Sequence, residues 1–326
     1  MAAPGQHRMR RVGLLLVILA APVTAQIGGE KVYRLAELAP SDASLEITRA
    51  ETLPELAKLG FREGRNLILD ERAGDAAAMD GLARELLRAN PDAIVAIGPD
   101  AIGAAAKATR TVPIVTFGND PVQRGFAVSH ARPGGNVTGV VILAEELDGK
   151  RVDILHEAVP EARRVAALLL PSLPYRASTE RETRAVAESS GMELLALDAT
   201  GPEDYPAAFA AMRAAGVQAL VIKANPTFNR DAGLLAKLAL NAGMPMVCEW
   251  AENARSGCLL GYGPSRSELR RRVAYYFARI FLGTAPADLP IETPIHFELA
   301  INLKTAKALG LTVPPSLLAR ADEAIE

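Results

Sequence analysis

Residues 93–117, AIVAIGPDAIGAAAKATRTVPIVTF, hold two short apolar runs, Ala93 to Ile97 and Ile114 to Phe117, on either side of a longer segment of helical period. The first is apolar on consecutive residues and the second is interrupted only by Thr116, as expected of strands covered on both faces, and such strands belong to parallel sheets joined by crossover helices. The same alternation runs outward in both directions. Further strands are expected at Val32 to Leu38, Leu67 to Glu71, Val137 to Ile142, Val165 to Leu170, Glu193 to Leu197, Ala219 to Ile222, Met246 to Cys248 and Leu259 to Tyr262. The fold class is therefore α/β.

Ten strands are too many for one small doubly wound sheet, and they divide five and five around residues 145–150. Two doubly wound parallel-sheet lobes follow. Helix ends are readable as well: one helix stops at Gly60, which suits a left-handed cap, with Phe61 placed to pack back on its last turn. Pro54 lies inside that segment and either begins a helical turn or bends it. Asp75 is a candidate N-cap for the next helix, which ends near Ala89 before Asn90-Pro91 breaks it. After Tyr262 a helix over about Ser267 to Leu282 and a proline-rich stretch, Ala285 to Pro294, lead to a last strand near His296 to Asn302. That late return predicts lobes joined by a multi-crossing hinge. The first lobe is expected to hold residues 26–143 and about 263–290, the second 144–262 and about 291–326.

Length supports this division, since 326 residues suit two domains with cores of their own. Residues 8–25 carry a basic patch (Arg8, Arg10, Arg11), an apolar run from Val12 to Ala21 and small residues to Ala25. That order is a secretory signal, cut before Gln26, and about ten apolar residues are too few to span a bilayer. No cysteine follows to take a lipid, so the mature chain is expected free in the periplasm with no stable membrane insertion. Its loss takes the net charge from -2 to -5, which offers nucleic acid no basic field. Cys248 and Cys258 either form a disulfide in that oxidising compartment or stay unpaired in two buried strands. With four scattered histidines they make no metal-ligand pattern.

Four stretches carry a family resemblance: LAKLGFREGRNLILDER (56–72), ARELLRANPDAIVAIG (83–98), ATRTVPIVTFGNDPVQRGFAVSHARPGGNVTGV (108–140) and FELAINLKTAKALGLTVPPSLLARADEAIE (297–326). Together they resemble the ABC transporter substrate-binding proteins of the tryptophan-binding-like type, over nearly all of the mature chain. The resemblance implies a type I periplasmic-binding fold, a ligand cleft between the lobes, and an ABC permease with its ATPase as partner. It fixes the role better than the solute, for which an amino acid is the first expectation.

Ligands of open α/β sheets bind outside the carboxyl ends of the strands, where helix N-termini present unpaired N–H groups. That rule selects Ser41 and Asp42, then Gly98, Asp100 and Ala101, then Asn119 and Asp120 in the first lobe. In the second it selects Ser172 and Tyr175, Lys223 and Asn225, and Glu249 and Trp250. Gly98 permits close backbone approach, and amides near Asp100 and Ala101 suit an anionic group; Asp100 itself either caps its helix or faces a ligand amine. Asp120 falls in the family's Asp-Pro-Val motif and either faces the cleft or starts a helix. Lys223 either meets a ligand carboxylate or solvates a strand end. Trp250 and Tyr175 either cover a ring-containing solute or pack in the core. The run Arg270 to Arg272 reads as a solvated helix face.

An enzyme is not expected: G-x-G-x-x-G, G-x-S-x-G and phosphate-loop motifs are missing from the sequence, and no cofactor is implied. A transcription regulator would need a basic helical headpiece where this chain has an export signal. The expected role is an extracytoplasmic, monomeric solute-binding component of an importer. A periplasmic sensor that shows its bound form to a membrane receptor is the alternative.

Overall fold

The computed structural model describes residues 31–144, 146–171 and 176–326, and Val32–Glu326 form one compact unit. The expected signal segment lies outside the described residues. Two sheets build the unit. The first contains β1 (Tyr33–Ala39), β2 (Leu67–Ala73), β3 (Ala93–Ile97), β4 (Ile114–Gly118) and β5 (Val137–Val141), all parallel, in the order β2-β1-β3-β4-β5. The second contains β6 (Arg164–Leu169), β7 (Glu193–Asp198), β8 (Ala219–Ile222), β9 (Met246–Cys248), β10 (Leu260–Pro264), β11 (Phe297–Asn302) and β12 (Glu323–Ile325), in the order β12-β11-β10-β9-β8-β6-β7. Each sheet repeats one winding, with its first strand between the second and third, so both have a topological switch point at the same place.

Crossover helices bury both faces of each sheet. In the first lobe they are α1 (Asp42–Ile47), α2 (Leu53–Lys58), α3 (Met79–Arg88) and α4 (Gly98–Ala108). Tyr33 and Leu35 of β1 join Val95, Ile97, Val115 and Phe117 on one face, while Ala36 and Leu38 join Ile94 and Ile102 on the other. The alternation places the buried Glu37 on the first of these faces. Burial of five consecutive residues explains the unbroken apolar run of β3, and in β4 and β5 the same burial takes in Thr116 and Thr138. Between α1 and α2 the helix widens into a π turn, Thr48–Thr52, just ahead of Pro54, which brings no N–H and whose ring would clash with the carbonyl four residues earlier in a regular α-helix. Gly60 follows at φ 99°, and the Phe61 N–H returns to the Leu56 carbonyl. Asp75 caps the turn ahead of α3 by accepting from the Ala78 N–H at 3.0 Å.

The second lobe carries α5 (Asp148–Ala158), α6 (Arg176–Ser189), α7 (Tyr205–Ala214), α8 (Pro226–Arg230) and α9 (Ala232–Asn241). From β10 the chain leaves for α10 (Arg266–Phe281), whose Leu269, Val273 and Phe277 pack into the first lobe's core with Tyr33 and Leu35. It returns through Glu292, which bridges Val140 of β5, to β11, then α11 (Leu303–Ala308) and α12 (Pro315–Leu318). The chain therefore passes between the sheets three times.

Two features differ from the expectation of purely parallel sheets. β11 runs antiparallel to β10, because the chain comes back from the first lobe at the end of β10 that faces it and so enters the sheet from that end. β12 pairs parallel to β11 and was not expected, since its three partly exposed residues show no apolar run. Arg151 binds the crossings together. It is fully buried and donates to the carbonyls of Ala144, Glu249 and Tyr262 at 3.2, 3.1 and 2.9 Å.

Candidate functional site

The two switch points face each other across a cavity of about 670 Å³. Its first wall is made by the loops after β1, β2 and β3, carrying Ser41 and Asp42, Gly74 and Asp75, and Gly98 to Asp100. Its second wall is made by Leu170 after β6, Thr200 after β7 and Asn225 to Thr227 after β8, with Arg230. Ser41 and Asn225 each end a strand loop and cap the helix that follows, accepting from the N–H groups of Ser44 at 3.4 Å and Thr227 at 2.8 Å. Gly98 sits at φ 80° at the start of α4, and a Cβ there would come within 3.3 Å of Pro226 across the cavity. A side chain there would crowd Pro226 and would be strained at that positive φ, which glycine takes without cost. Asp100 borders the cavity with an exposed side chain, and the desolvation it does suffer raises its pKa.

A smaller, deeper chamber of about 60 Å³ continues from Gly98 and Asn225 toward the crossings. Phe117, Gly118 and Asn119 close it from β4, Glu249 and Trp250 from the end of β9, and Arg266 and Arg270 from α10. Trp250 is 3% exposed and stacks on Phe117, ring centres 6.3 Å apart and 17° from parallel. It thus belongs to the cavity wall and to the core at once, and carries a second-lobe residue into the first lobe's cluster. Glu249 accepts a hydrogen bond from the Asn225 backbone N–H, and burial pushes its carboxyl up to about 7, with Arg151 pulling it back in part. Just before it, Cys248 is disulfide-bonded to Cys258.

The expected residues are thus brought together only in part. Ser41, Asp42, Gly98, Asp100, Asn119, Asn225, Glu249 and Trp250 border the two chambers. Ser172 and Tyr175 lie outside the described residues. Ala101 is fully buried on the inner face of α4 with Ile94 and Ile102 and borders neither chamber. Asp120 does not border them either: its carboxylate accepts from the Val122 N–H at 2.8 Å and pairs with His130 at 2.8 Å, fixing the turn after β4. Lys223 follows neither of its two expectations. Its ammonium is buried and turned away from the cavity, paired to Asp148 and bonded to the Thr183 hydroxyl at 2.7 Å, between α5 and α6. The arginine run is corrected in one position, since Arg270 is 3% exposed, while Arg271 is on the solvated face.

Asp75 and Thr200 were missed although the strand-end rule reaches them, because both follow outer strands that the central-loop reading passed over. Arg266 and Arg270 were missed for a different reason. They come from a helix that crosses back from the other half of the sequence. Among the described residues no group of acidic, histidine and cysteine side chains is arranged to hold a metal ion.

A family model described as ABC transporter substrate binding protein matches residues 41–325. A protein of Clostridioides difficile named tyrosine-binding protein is 22% identical over 272 residues, covering 82% of this chain and 78% of the relative. Among solved structures, a conserved domain protein from Vibrio cholerae is 26% identical with a TM-score of 0.81, covering 90% of this chain and all of that one. A Streptococcus pneumoniae ABC domain in complex with L-Trp is 21% identical with a TM-score of 0.80 and the same coverage.

Proposed function

The chain belongs to the ABC transporter substrate-binding protein family, and from that premise we propose that it captures a small solute, an amino acid first among classes, and delivers it to an ABC importer's permease. The observation that carries this reading is the pair of switch points facing each other across one cavity whose walls come from both lobes. A solute held there touches both sheets and favours the closed arrangement by its differential affinity, with the three crossings as hinge. The volume suits a small organic molecule. Amino acids lead because of what two relatives bind: the Clostridioides protein is named for tyrosine, and the pneumococcal domain was crystallised with L-Trp.

Within the cleft, Glu249 is the partner for a solute ammonium, since its buried carboxyl gains a counter-charge when the solute arrives. Ser41, Asp42, Asp100, Asn119 and Asn225 supply polar contacts, and Trp250 with Phe117 the apolar wall. Residues 1–25 are the export signal, cut before Gln26, and the periplasm is the site of action. No helix among the described residues is long and apolar enough to cross a membrane. A thermal-shift screen of the chain from Gln26 onward against amino acids, nucleosides, sugars and small organic acids tests the reading. A true solute at one hundred times its Kd raises stability by about 2.7 kcal/mol. Absence of any shift across the set would defeat it.

A further inference from the structure

Among the described residues, Arg270 is the one chamber-lining cation that makes no ion pair. Arg266, one turn earlier on α10, is paired with Glu51 at 2.8 Å and with Glu252 at 3.4 Å. In the larger cavity Arg230 is paired with Asp231 at 2.7 Å. Arg270 makes no ion pair among the described residues. Its Nη1 donates to the Thr48 hydroxyl at 3.0 Å, its Nε has no partner, and its guanidinium lies 4.0 Å from the centre of the Phe117 ring.

The acid nearest in charge is Glu37 of β1, and it does not neutralise Arg270. Glu37 is 0% exposed, and neither of its carboxylate oxygens has a hydrogen bond of ordinary geometry, the Thr48 hydroxyl being the polar group that draws on it. Burial pushes its carboxyl up to about 8; the Thr48 hydroxyl, Arg270 and Arg49 draw it down and Glu71 raises it further. A neutral Glu37 leaves the guanidinium with only the charge of Glu51, which is itself paired to Arg266, so a buried cation lacks a partner of its own, an arrangement that costs several kcal/mol unless one arrives. Stacking on Phe117 offsets a part of that cost. An anionic group in the chamber would offset the rest, and the planar fork of Arg suits a carboxylate in particular.

Resting on the substrate-binding reading above, we propose that Arg270 anchors a carboxylate of the bound solute in the inner chamber, so that the cleft selects carboxylate-bearing solutes. Glu249 stands on the other lobe's side of the same chamber. A solute that carries both a carboxylate and an ammonium therefore pairs each lobe's charge with its own opposite and draws the lobes together.

The test varies the solute as well as the protein. The chain from Gln26 is titrated calorimetrically with the common L-amino acids and with their α-amides, which keep shape and ammonium but lack the anion, and with sugars and nucleosides as further probes. An acid that binds is expected to lose about ten- to hundredfold in affinity as its amide. Arg270→Met, which keeps the apolar stem, is expected to bind acid and amide alike, whereas Arg271→Gln on the exposed face keeps the full gap. Equal binding of acid and amide by the unaltered protein overturns the proposal and leaves the substrate-binding reading standing. A gap that survives in Arg270→Met also overturns it. If Arg270→Met does not fold, the acid–amide pair on the unaltered protein decides. If no probe of any class binds, both readings fall.

Discussion

In the second lobe Asp148, Arg151 and Lys223 form a closed network, whereas in the first lobe Arg270 and Glu37 share a buried interior without pairing. Asp148 accepts from Arg151 at 2.8 Å and pairs with Lys223, and Arg151 donates further to the carbonyls of Ala144, Glu249 and Tyr262, so that each of its three nitrogens has a partner. That cluster is complete, and its position at the crossings makes it part of the scaffold. The first-lobe cluster is incomplete: Arg270 keeps an Nε without a partner, and Glu37 and Arg270 share no ion pair, with only the Thr48 hydroxyl acting on both. Buried polar groups are normally satisfied, so an incomplete pair beside a chamber points outward to a solute, while a complete one points inward to the fold.

Breaking the complete cluster should have the largest effect. Asp148→Ala leaves two cations buried side by side, and removal of one partner from a buried network costs about 3–5 kcal/mol. The urea midpoint should fall accordingly, with Lys223 and Arg151 repelling each other. A loss below about 1 kcal/mol would mean that water or main-chain carbonyls replace the aspartate, and the contrast between the lobes would disappear.

The second lobe is braced covalently too. The disulfide joins residues ten apart in sequence and closes the loop that begins with Glu249 and Trp250, so it holds the wall that the second lobe offers the cavity. Replacing Cys248 and Cys258 together by alanine should cost about 2–3 kcal/mol on chain-entropy grounds. Thermal melts with and without reductant check this. An equal shift in oxidised and reduced protein would show that the bond adds nothing to packing.

The sequence made the scaffold legible and the chemistry only half so. Strands such as β3 and β8 were read at their true limits because complete burial of both faces writes itself as an unbroken apolar run. β12 left no such run, and the antiparallel entry of β11 depends on where a chain returns from, which no local pattern records. Strand-end loops were found by rule, so Gly98, Asn225 and Glu249 were found. Lys223 misled because its position at a strand end says nothing about Asp148, distant in sequence, waiting beside it. Arg270 misled in the opposite sense: three adjacent arginines look like a solvated face, but a helix turns successive residues by 100°, and only one of the three faces the sheet.

The smallest effect is the most discriminating. Glu37 carries a carboxyl raised from 4.5 to about 8 by burial, and Glu249 one raised to about 7. Between the unfolded and folded values the native state holds a proton that the unfolded chain has released, so stability falls as pH rises, by at most about 1.4 kcal/mol per pH unit for each group. Both groups contribute from about pH 5 to 7. Above 7 the contribution of Glu249 fades and that of Glu37 persists to about 8. Glu37→Gln should therefore flatten the fall between pH 7 and 8, measured by urea unfolding of the solute-free protein, while leaving about half of the slope at pH 5 to 6 in place, the share of Glu249. An unchanged slope would mean that Glu37 is already ionised and paired with Arg270 in solution. The first lobe would then hold a closed pair like the second, and Arg270 would have no charge to spare for a solute.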